Sequence, residues 1–230
     1  MKPPAIEIEK LSAELARLAQ FSDVPAPAVT RVMLSDTDLA ARRYLTELFQ
    51  AANLQLRTDA AGNIFARWQG SDAALPAVAT GSHTDAIPNA GMYDGTVGVL
   101  GGLEAIRALK RVGFSPRRSI ELVMFTSEEP TRYGVGCLGS RLMSGVMSAD
   151  AAGKLKDSDG ATFAIFHQRA GGIGKLSDVK LQPGHYHAFV ELHIEQGPLL
   201  EQAGLPIGVV TAIAAPAALR VVYEGSGGHA

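Results

Sequence analysis

The chain has 230 residues, of which 23 are acidic and 21 are basic, and its formal net charge is −2. Because nucleic acids and anionic membranes favour proteins with a basic excess, this near balance argues against both as partners. Hydrophobic residues make up 47% of the chain and charged residues 19%, which is typical of globular proteins and argues against disorder.

The single cysteine, Cys137, excludes a disulfide framework within the chain. The beginning of the sequence lacks the unbroken apolar core of a signal peptide. The longest nearly apolar stretch, 208–219, is shorter than the roughly 18 residues that a membrane helix needs. We therefore expect a cytoplasmic protein.

Helical and extended patterns alternate along the chain. Apolar residues recur at spacings of three and four between Ile8 and Leu18, which predicts an amphipathic helix. A second helix is expected at Asp36 or Asp38, either of which could cap it. Further helices are predicted at 96–111 and 138–146, and strands at 54–57, 64–68, 77–80, 119–125, 188–194, 206–213 and 219–223. This alternation predicts an α/β layer fold.

The first cluster of residues that could bind a metal or catalyse a reaction is 81–85. It reads Gly-Ser-His-Thr-Asp and follows a predicted apolar strand. Positions two apart in an extended chain share a face, so His83 and Asp85 can face one site. Asp85 could then accept a proton from the imidazole, as carboxylates do beside metal-bound histidines. A polar turn at the end of a strand is the alternative interpretation.

Two further clusters are rich in carboxylates. Asp94 lies between glycines that permit an unusual backbone, and it could bridge two metals, although such a motif by itself is more often a simple Asp-Gly turn. Glu128 and Glu129 follow an apolar strand, where adjacent like charges repel unless one binds a cation and the other holds a proton. The alternatives are acids gathered at a helix N-terminus, or neutralisation by Arg132.

His193 ends another predicted apolar strand, and a lone histidine there is more often a core residue. Three strands, however, place His83, Glu128 and His193 near their ends. Open α/β sheets build their sites outside the carboxyl ends of the strands. Mixed histidine and carboxylate ligands suit Zn²⁺ or Mn²⁺. The combination predicts a metal-assisted hydrolase and is compatible with a two-metal site.

Four stretches of the sequence resemble the amidase/hydantoinase/carbamoylase branch of the dinuclear metallopeptidase-like hydrolases. They read GSHTDAIPNAGMYDGTVGVLGGLEAIRAL, FTSEEPTRYGVGCLGSR, ELHIEQGPLLE and GVVTAIAAPAALRVVYEGSGGHA. The likeness extends from about Phe21 to Ala230 and is greatest toward ureidoglycolate and allantoate amidohydrolases. It implies hydrolysis of a C–N bond in a small ureido or carbamoyl substrate, with N-carbamoyl-L-amino acid hydrolysis as the alternative activity.

The resemblance also implies the ligands of two divalent metal ions, Mn²⁺ or Zn²⁺. His83 and His193 would hold one ion, Asp94 would bridge both, and Glu129 would hold the second. A cis peptide bond is implied after Asp94. Members of the family supply a further histidine to the second metal from a region beyond this sequence.

Four other matching positions receive roles from the same resemblance. Glu128 would be the general base, and Asp85 would orient His83. Gln196 would help to position the substrate. His229 would reach from a lid domain into the substrate site of the partner subunit.

The fold that the resemblance implies is a three-layer, metallopeptidase-like α/β catalytic domain with an inserted α+β dimerisation (lid) domain. The catalytic part would occupy 1–211, and the lid would begin in 212–230. We expect a homodimer when the protein is full length, and a truncated chain here. Such a chain would bind about one metal ion tightly and be a poor catalyst by itself. A non-enzymatic remnant that binds metal or a partner is the alternative.

Overall fold

The computed structural model describes residues 3–164, 173–213, 219 and 221–228. The longer helices are α1 (Ile8–Ala19), α2 (Asp36–Ala51), α3 (Thr96–Arg111), α4 (Leu138–Ser144) and α5 (Ala149–Gly153). The strands are β1 (Val29–Arg31), β2 (Gln55–Thr58), β3 (Ile64–Trp68), β4 (Ala77–His83), β5 (Ala86–Ala90), β6 (Ile120–Phe125) and β7 (Tyr186–Val190). Two short helical segments, Leu176–Asp178 and Leu199–Gln202, complete the described elements.

Five strands form one mixed sheet in the order β2-β3-β6-β4-β7. Strands β6, β4 and β7 are parallel to one another, whereas β3 is antiparallel to β6 and β2 is antiparallel to β3. A separate antiparallel ribbon joins β1 to β5. The parallel strands bring their carboxyl ends to one edge of the sheet, where His83, Glu128 and His193 lie.

The sheet lies between two apolar layers, because successive side chains along a strand point to opposite faces. On one face, Ala66 of β3 and Leu122 of β6 pack in a cluster with apolar residues of α1, α2 and α3. On the other face, Phe65 and Val123 belong to a cluster that includes residues of α4 and α5. The predicted three-layer α/β fold is therefore confirmed.

Several sequence-based boundaries needed correction. Ser35, and neither Asp36 nor Asp38, caps α2, because its side chain accepts a hydrogen bond from the Asp38 amide. The sequence predicted neither β1, which has only three residues, nor β5, which follows β4 after only two residues. The described residues of 206–213 and 219–223 form no strand. An apolar sequence becomes a strand only when another strand pairs with its backbone groups.

The chain divides into two compact units, Met1–Ile194 and Glu195–Ala230. In the second unit, the Glu195 carboxylate accepts hydrogen bonds from the backbone amides of Leu199 and Leu200, both at 2.9 Å, at the start of the short helix. The expected start of a lid domain at 212 stays a prediction. Among the described residues, no helix is both long and apolar enough to cross a membrane.

Arg31 is the buried polar anchor that connects α1 to the end of β4. Its side chain is 1% exposed, and its guanidinium donates to three backbone carbonyl groups. These belong to Phe21 at 2.9 Å, Thr84 at 2.6 Å and Leu18 at 2.7 Å. Because Thr84 directly follows His83, this anchor also fixes the backbone of the site.

Replacing Arg31 by Met should therefore destabilise the chain severely. The carbonyl groups of Phe21, Thr84 and Leu18 would lose this charged donor, and that of Leu18 would keep the Phe21 amide at 3.2 Å. A buried group that is left unsatisfied costs about 1–3 kcal/mol. The matched control is Arg43→Met on α2, where the arginine is exposed and the expected change is within about 0.5 kcal/mol. Urea unfolding followed by circular dichroism measures both variants, and equal stability losses would contradict the anchoring role.

Candidate metal site

The site is assembled at the carboxyl ends of β4, β6 and β7. His83 is the last residue of β4 and pairs in register with Phe125, the last residue of β6. Glu128 follows the end of β6 by three residues, and His193 follows the end of β7 by three residues. The topology thus brings together residues that are far apart in the sequence, as open α/β sheets commonly do at this edge.

Three potential metal ligands converge there. The Asp94 Oδ1 atom lies 3.9 Å from His83 Nε2 and 3.4 Å from His193 Nε2. The two imidazole rings are nearly parallel, with an interplanar angle of 22° and centroids 6.0 Å apart. One ligand atom from each residue lies within 4.8 Å of the others, and no second group of His, Cys, Asp or Glu in the described parts of the chain converges in this way.

Backbone carbonyl groups orient both histidines. His83 Nδ1 lies 2.9 Å from the carbonyl oxygen of Asp85, and His193 Nδ1 lies 2.9 Å from that of Ile194. A carbonyl only accepts hydrogen bonds, so in each neutral ring the proton is assigned to Nδ1. The Nε2 lone pairs are then free, and both Nε2 atoms face Asp94. This donor set of two imidazoles and one carboxylate fits a divalent metal ion.

Gly95 is required where the chain passes from Asp94 into α3. Its φ of +63° disfavours other residues, and a Cβ atom there would lie 2.5 Å from His83 Nε2. The cis bond expected after Asp94 is absent, since among the described residues the cis peptide bond is Ala26–Pro27. Gly95 therefore turns the chain with a positive φ, and its missing side chain leaves room for the His83 ring.

Asp85 acts differently from the sequence-based prediction. Its carbonyl, and not its carboxylate, accepts the hydrogen bond from His83, and the nearer carboxylate oxygen is 3.7 Å from Nδ1. The carboxylate instead accepts from the backbone amides of Glu128 at 3.2 Å and Glu129 at 3.0 Å. Burial raises the pKa of Asp85 to about 6, against the lowering effect of His83. Asp85 thus fixes the backbone of the two glutamates.

The two glutamates have different surroundings. Glu128 Oε2 lies 3.8 Å from His83 Nε2, and this side chain is 39% exposed. The pKa of Glu129 is raised to about 7, mainly by burial and then by the negative charge of Glu128. Glu129 is not one of the three converging ligands, so its place in a second metal site stays a prediction.

Cys137 contacts Glu128 of the site. Its thiol lies 3.2 Å from Glu128 Oε1, and its amide donates to the Glu128 carbonyl at 2.7 Å. Burial, followed by the hydrogen bond to Glu128, raises the pKa of the thiol to about 11. No motif in the sequence signals this contact, because it depends on how the loop 130–136 returns to the end of β6.

Two predicted substrate residues are not located at this site by the described coordinates. Gln196 belongs to the second unit and has a φ of +56°. His229 lies outside the described residues. Both assignments stay predictions.

Comparison with known proteins provides independent information on this arrangement. A sequence model of Peptidase family M20/M25/M40 matches residues 79–227. A ureidoglycolate hydrolase of Oryza sativa subsp. japonica is 55% identical over 234 residues, which cover 99% of this chain and 48% of the relative. An N-carbamoyl-L-amino-acid amidohydrolase of Paenarthrobacter aurescens is 40% identical over 225 residues, which cover 97% of this chain and 54% of that relative.

A solved structure extends the likeness to the fold. The crystal structure of AtUAH in complex with glyoxylate matches with a TM-score of 0.84 and 50% sequence identity, over 88% of this chain and 49% of the other. The chain therefore spans about half the length of the proteins that it matches.

The raised pKa of Glu129 predicts how the metal-free chain responds to pH. Between its ordinary value of 4.5 and about 7, the folded chain keeps a proton that the unfolded chain releases. Ionisation of Glu129 therefore lowers stability as the pH rises through this window. In EDTA, Glu129→Gln should melt above the unsubstituted chain near pH 8, and most of this advantage should be lost near pH 5.

The matched control for this pH dependence is Glu47→Gln, which removes an exposed carboxylate from α2. Its melting temperature should stay close to that of the unsubstituted chain at both pH values. A Glu129→Gln stabilisation of equal size near pH 5 and pH 8 would contradict the prediction.

Proposed function

This chain belongs to Peptidase family M20/M25/M40, and on that premise we propose that it carries the metal site and the general base of an amidohydrolase. The reaction is hydrolysis of a C–N bond, other than a peptide bond, in a small ureido or carbamoyl substrate. The observation that carries the proposal is the convergence of His83, Asp94 and His193, with the Glu128 carboxylate beside them.

The proposed ligands of the first metal ion are His83 and His193, with Asp94 shared between two ions and Glu129 on the second. Their donor atoms suit Zn²⁺ or Mn²⁺. When bound, such ions polarise the substrate carbonyl and make water more acidic. The excess of carboxylates supports this assignment, because Asp85, Asp94, Glu128 and Glu129 repel one another unless a cation or a proton neutralises them.

The proposed role of Glu128 is to move a proton. Its Oε2 atom faces the ligand cluster, and the side chain is partly exposed, so water and substrate can reach the carboxylate. Glu128 would take a proton at this carboxylate from the attacking water and pass it to the leaving nitrogen. Asp85 holds the backbone amide of Glu128 and thereby limits the position of the base.

Ureidoglycolate is the first candidate substrate, and allantoate the second. The proposal rests on the similarity to the rice ureidoglycolate hydrolase and on the likeness to a structure that holds glyoxylate. Hydrolysis of N-carbamoyl-L-amino acids is the alternative, since an amidohydrolase of that class is 40% identical. Both alternatives use the same metal ligands, so the ligands do not discriminate between them.

The remaining proposals concern the whole protein. We propose that it works in the cytoplasm as a homodimer, and that a lid domain begins near residue 212. Gln196 and His229 would contact the substrate, with His229 serving the partner subunit's site. The near balance of charge favours a small-molecule partner over a nucleic acid or an anionic membrane.

A chimera tests this function directly. Residues of this chain replace the matching 48% of the rice ureidoglycolate hydrolase, and ammonia release is measured with ureidoglycolate, allantoate and an N-carbamoyl-L-amino acid. We expect turnover that is greatest with ureidoglycolate. A folded, metal-loaded chimera without turnover on any of the three would overturn the proposal and favour a chain that only binds metal or a partner.

Glu128→Gln in the same chimera isolates the base. Glutamine keeps the shape of the side chain but cannot accept the proton, so kcat should fall by about 10²–10⁴-fold while metal content is unchanged. Glu47→Gln is the control and should keep full activity. Near-normal turnover by the Glu128→Gln chimera would remove Glu128 from the role of base.

A further inference from the structure

The ladder between β4 and β7 ends before it reaches the ligands. Phe189 pairs with Ala79 and Val190 pairs with Thr80, and the strand then stops. If the same register continued for three residues, His193 would lie beside His83. The segment 191–193 must therefore be held against β4 by contacts other than a backbone ladder.

The two histidines differ in how firmly packing holds them. The side chain of His83 is 3% exposed, whereas that of His193 is 31% exposed. The ring of His193 is oriented by the carbonyl of the next residue, Ile194, which moves with it. The position of His193 thus depends on whatever fixes the backbone of 191–193.

A side-chain hydrogen bond bridges the gap in the ladder. Ser82, which is 1% exposed and precedes His83, donates through Oγ to Glu191 Oε1 at 2.5 Å. Glu191 precedes His193 by two residues. A hydrogen bond to an ionised carboxylate is roughly twice as strong as a neutral one. The contact therefore connects β4, one residue before His83, to the segment that follows β7, two residues before His193.

Helix α3 supports the same segment from one side. A Cβ atom on Gly98 would lie 2.5 Å from the carbonyl oxygen of Leu192 and 2.6 Å from Ser82 Cβ. The helix backbone therefore closely approaches Ser82 and Leu192, the residue that follows Glu191. Because α3 begins two residues after Asp94, this contact also relates the third ligand to the two histidines.

We propose that the Ser82–Glu191 hydrogen bond is a clamp that positions His193 for metal binding. The inference rests on the proposed function only in assuming that His83, Asp94 and His193 form a metal site. Ser82 and Glu191 are positioning residues, which act through His193 and not by touching the metal. Groups that orient metal ligands typically contribute about 10–100-fold to metal affinity.

Zn²⁺ titration of the metal-free 230-residue chain tests the clamp without measuring turnover. A chromophoric chelator competes for Zn²⁺ and reports Kd. Ser82→Ala and Glu191→Ala should each weaken Zn²⁺ binding by about 10–100-fold. The double variant should lose no more affinity than the single variant that binds Zn²⁺ less tightly, because both substitutions remove the same hydrogen bond. Glu191→Gln retains an acceptor oxygen and should recover most of the affinity.

Two controls separate positioning from a general effect on the fold. Ser119→Ala removes another buried hydroxyl, which accepts from Arg67 at 2.9 Å and from the Gly70 amide at 3.1 Å, and should leave Kd unchanged. In a His193→Ala background, Glu191→Ala should have no further effect on Kd, because the residue that it positions is already gone.

The outcomes distinguish the clamp from the metal site itself. If His83→Ala and His193→Ala both leave Zn²⁺ affinity unchanged, the proposed metal site is wrong. If they weaken binding but Ser82→Ala and Glu191→Ala do not, the site stands and the clamp is wrong. An equal loss from Glu191→Ala with and without His193 would also overturn the clamp, since Glu191 would then act on the fold in general.

Discussion

The arrangement of the site depends on His83, a buried histidine at the end of a central parallel strand. Pairing with β6 on one side and β7 on the other fixes β4 within the sheet. The buried ring is held from behind by the carbonyl of Asp85, and Gly95 leaves the space in front of it. Asp94, Glu128 and His193 all face this ring, so their mutual distances follow from the position of one side chain.

The second constraint is the accumulation of negative charge around that ring. Four carboxylates lie on the loops that follow β4, β5 and β6. Two of them, Asp85 and Glu129, have raised pKa values, above all because they are buried. Such crowding is unfavourable unless a cation or shared protons offset it. The repulsion between these carboxylates destabilises one edge of the sheet, and the two apolar layers that cover its faces stabilise the rest of the fold.

Backbone groups do much of the orientation at this site. The two imidazole rings contact carbonyl oxygens, and Asp85 binds the amides of both glutamates. This arrangement fixes the polar side chains through the chain itself, with few additional polar residues. In the proposed clamp, Ser82 and Glu191 act in the same way, by holding the backbone that carries a ligand.

The residues themselves indicated the fold class and the candidate ligands. Apolar strands followed by His83, Glu128 and His193 predicted a shared edge because parallel strands end together, and this inference needs only strand order and direction. The family resemblance likewise depended on long motifs that occur in a fixed order along the sequence, and these can be recognised without coordinates. Helix α3 was predicted with its observed bounds because its apolar period is regular.

Tertiary structure alone decided which atoms meet. Spacing placed Asp85 on the same face as His83, but only the folded loop shows that its carbonyl contacts the ring while its carboxylate holds the glutamates. The contacts of Cys137 with Glu128 and of Ser82 with Glu191 join segments separated by 9 and 109 residues. Sequence periodicity reports the local direction of a side chain, whereas these contacts depend on how separate loops and strands pack at one edge of the sheet.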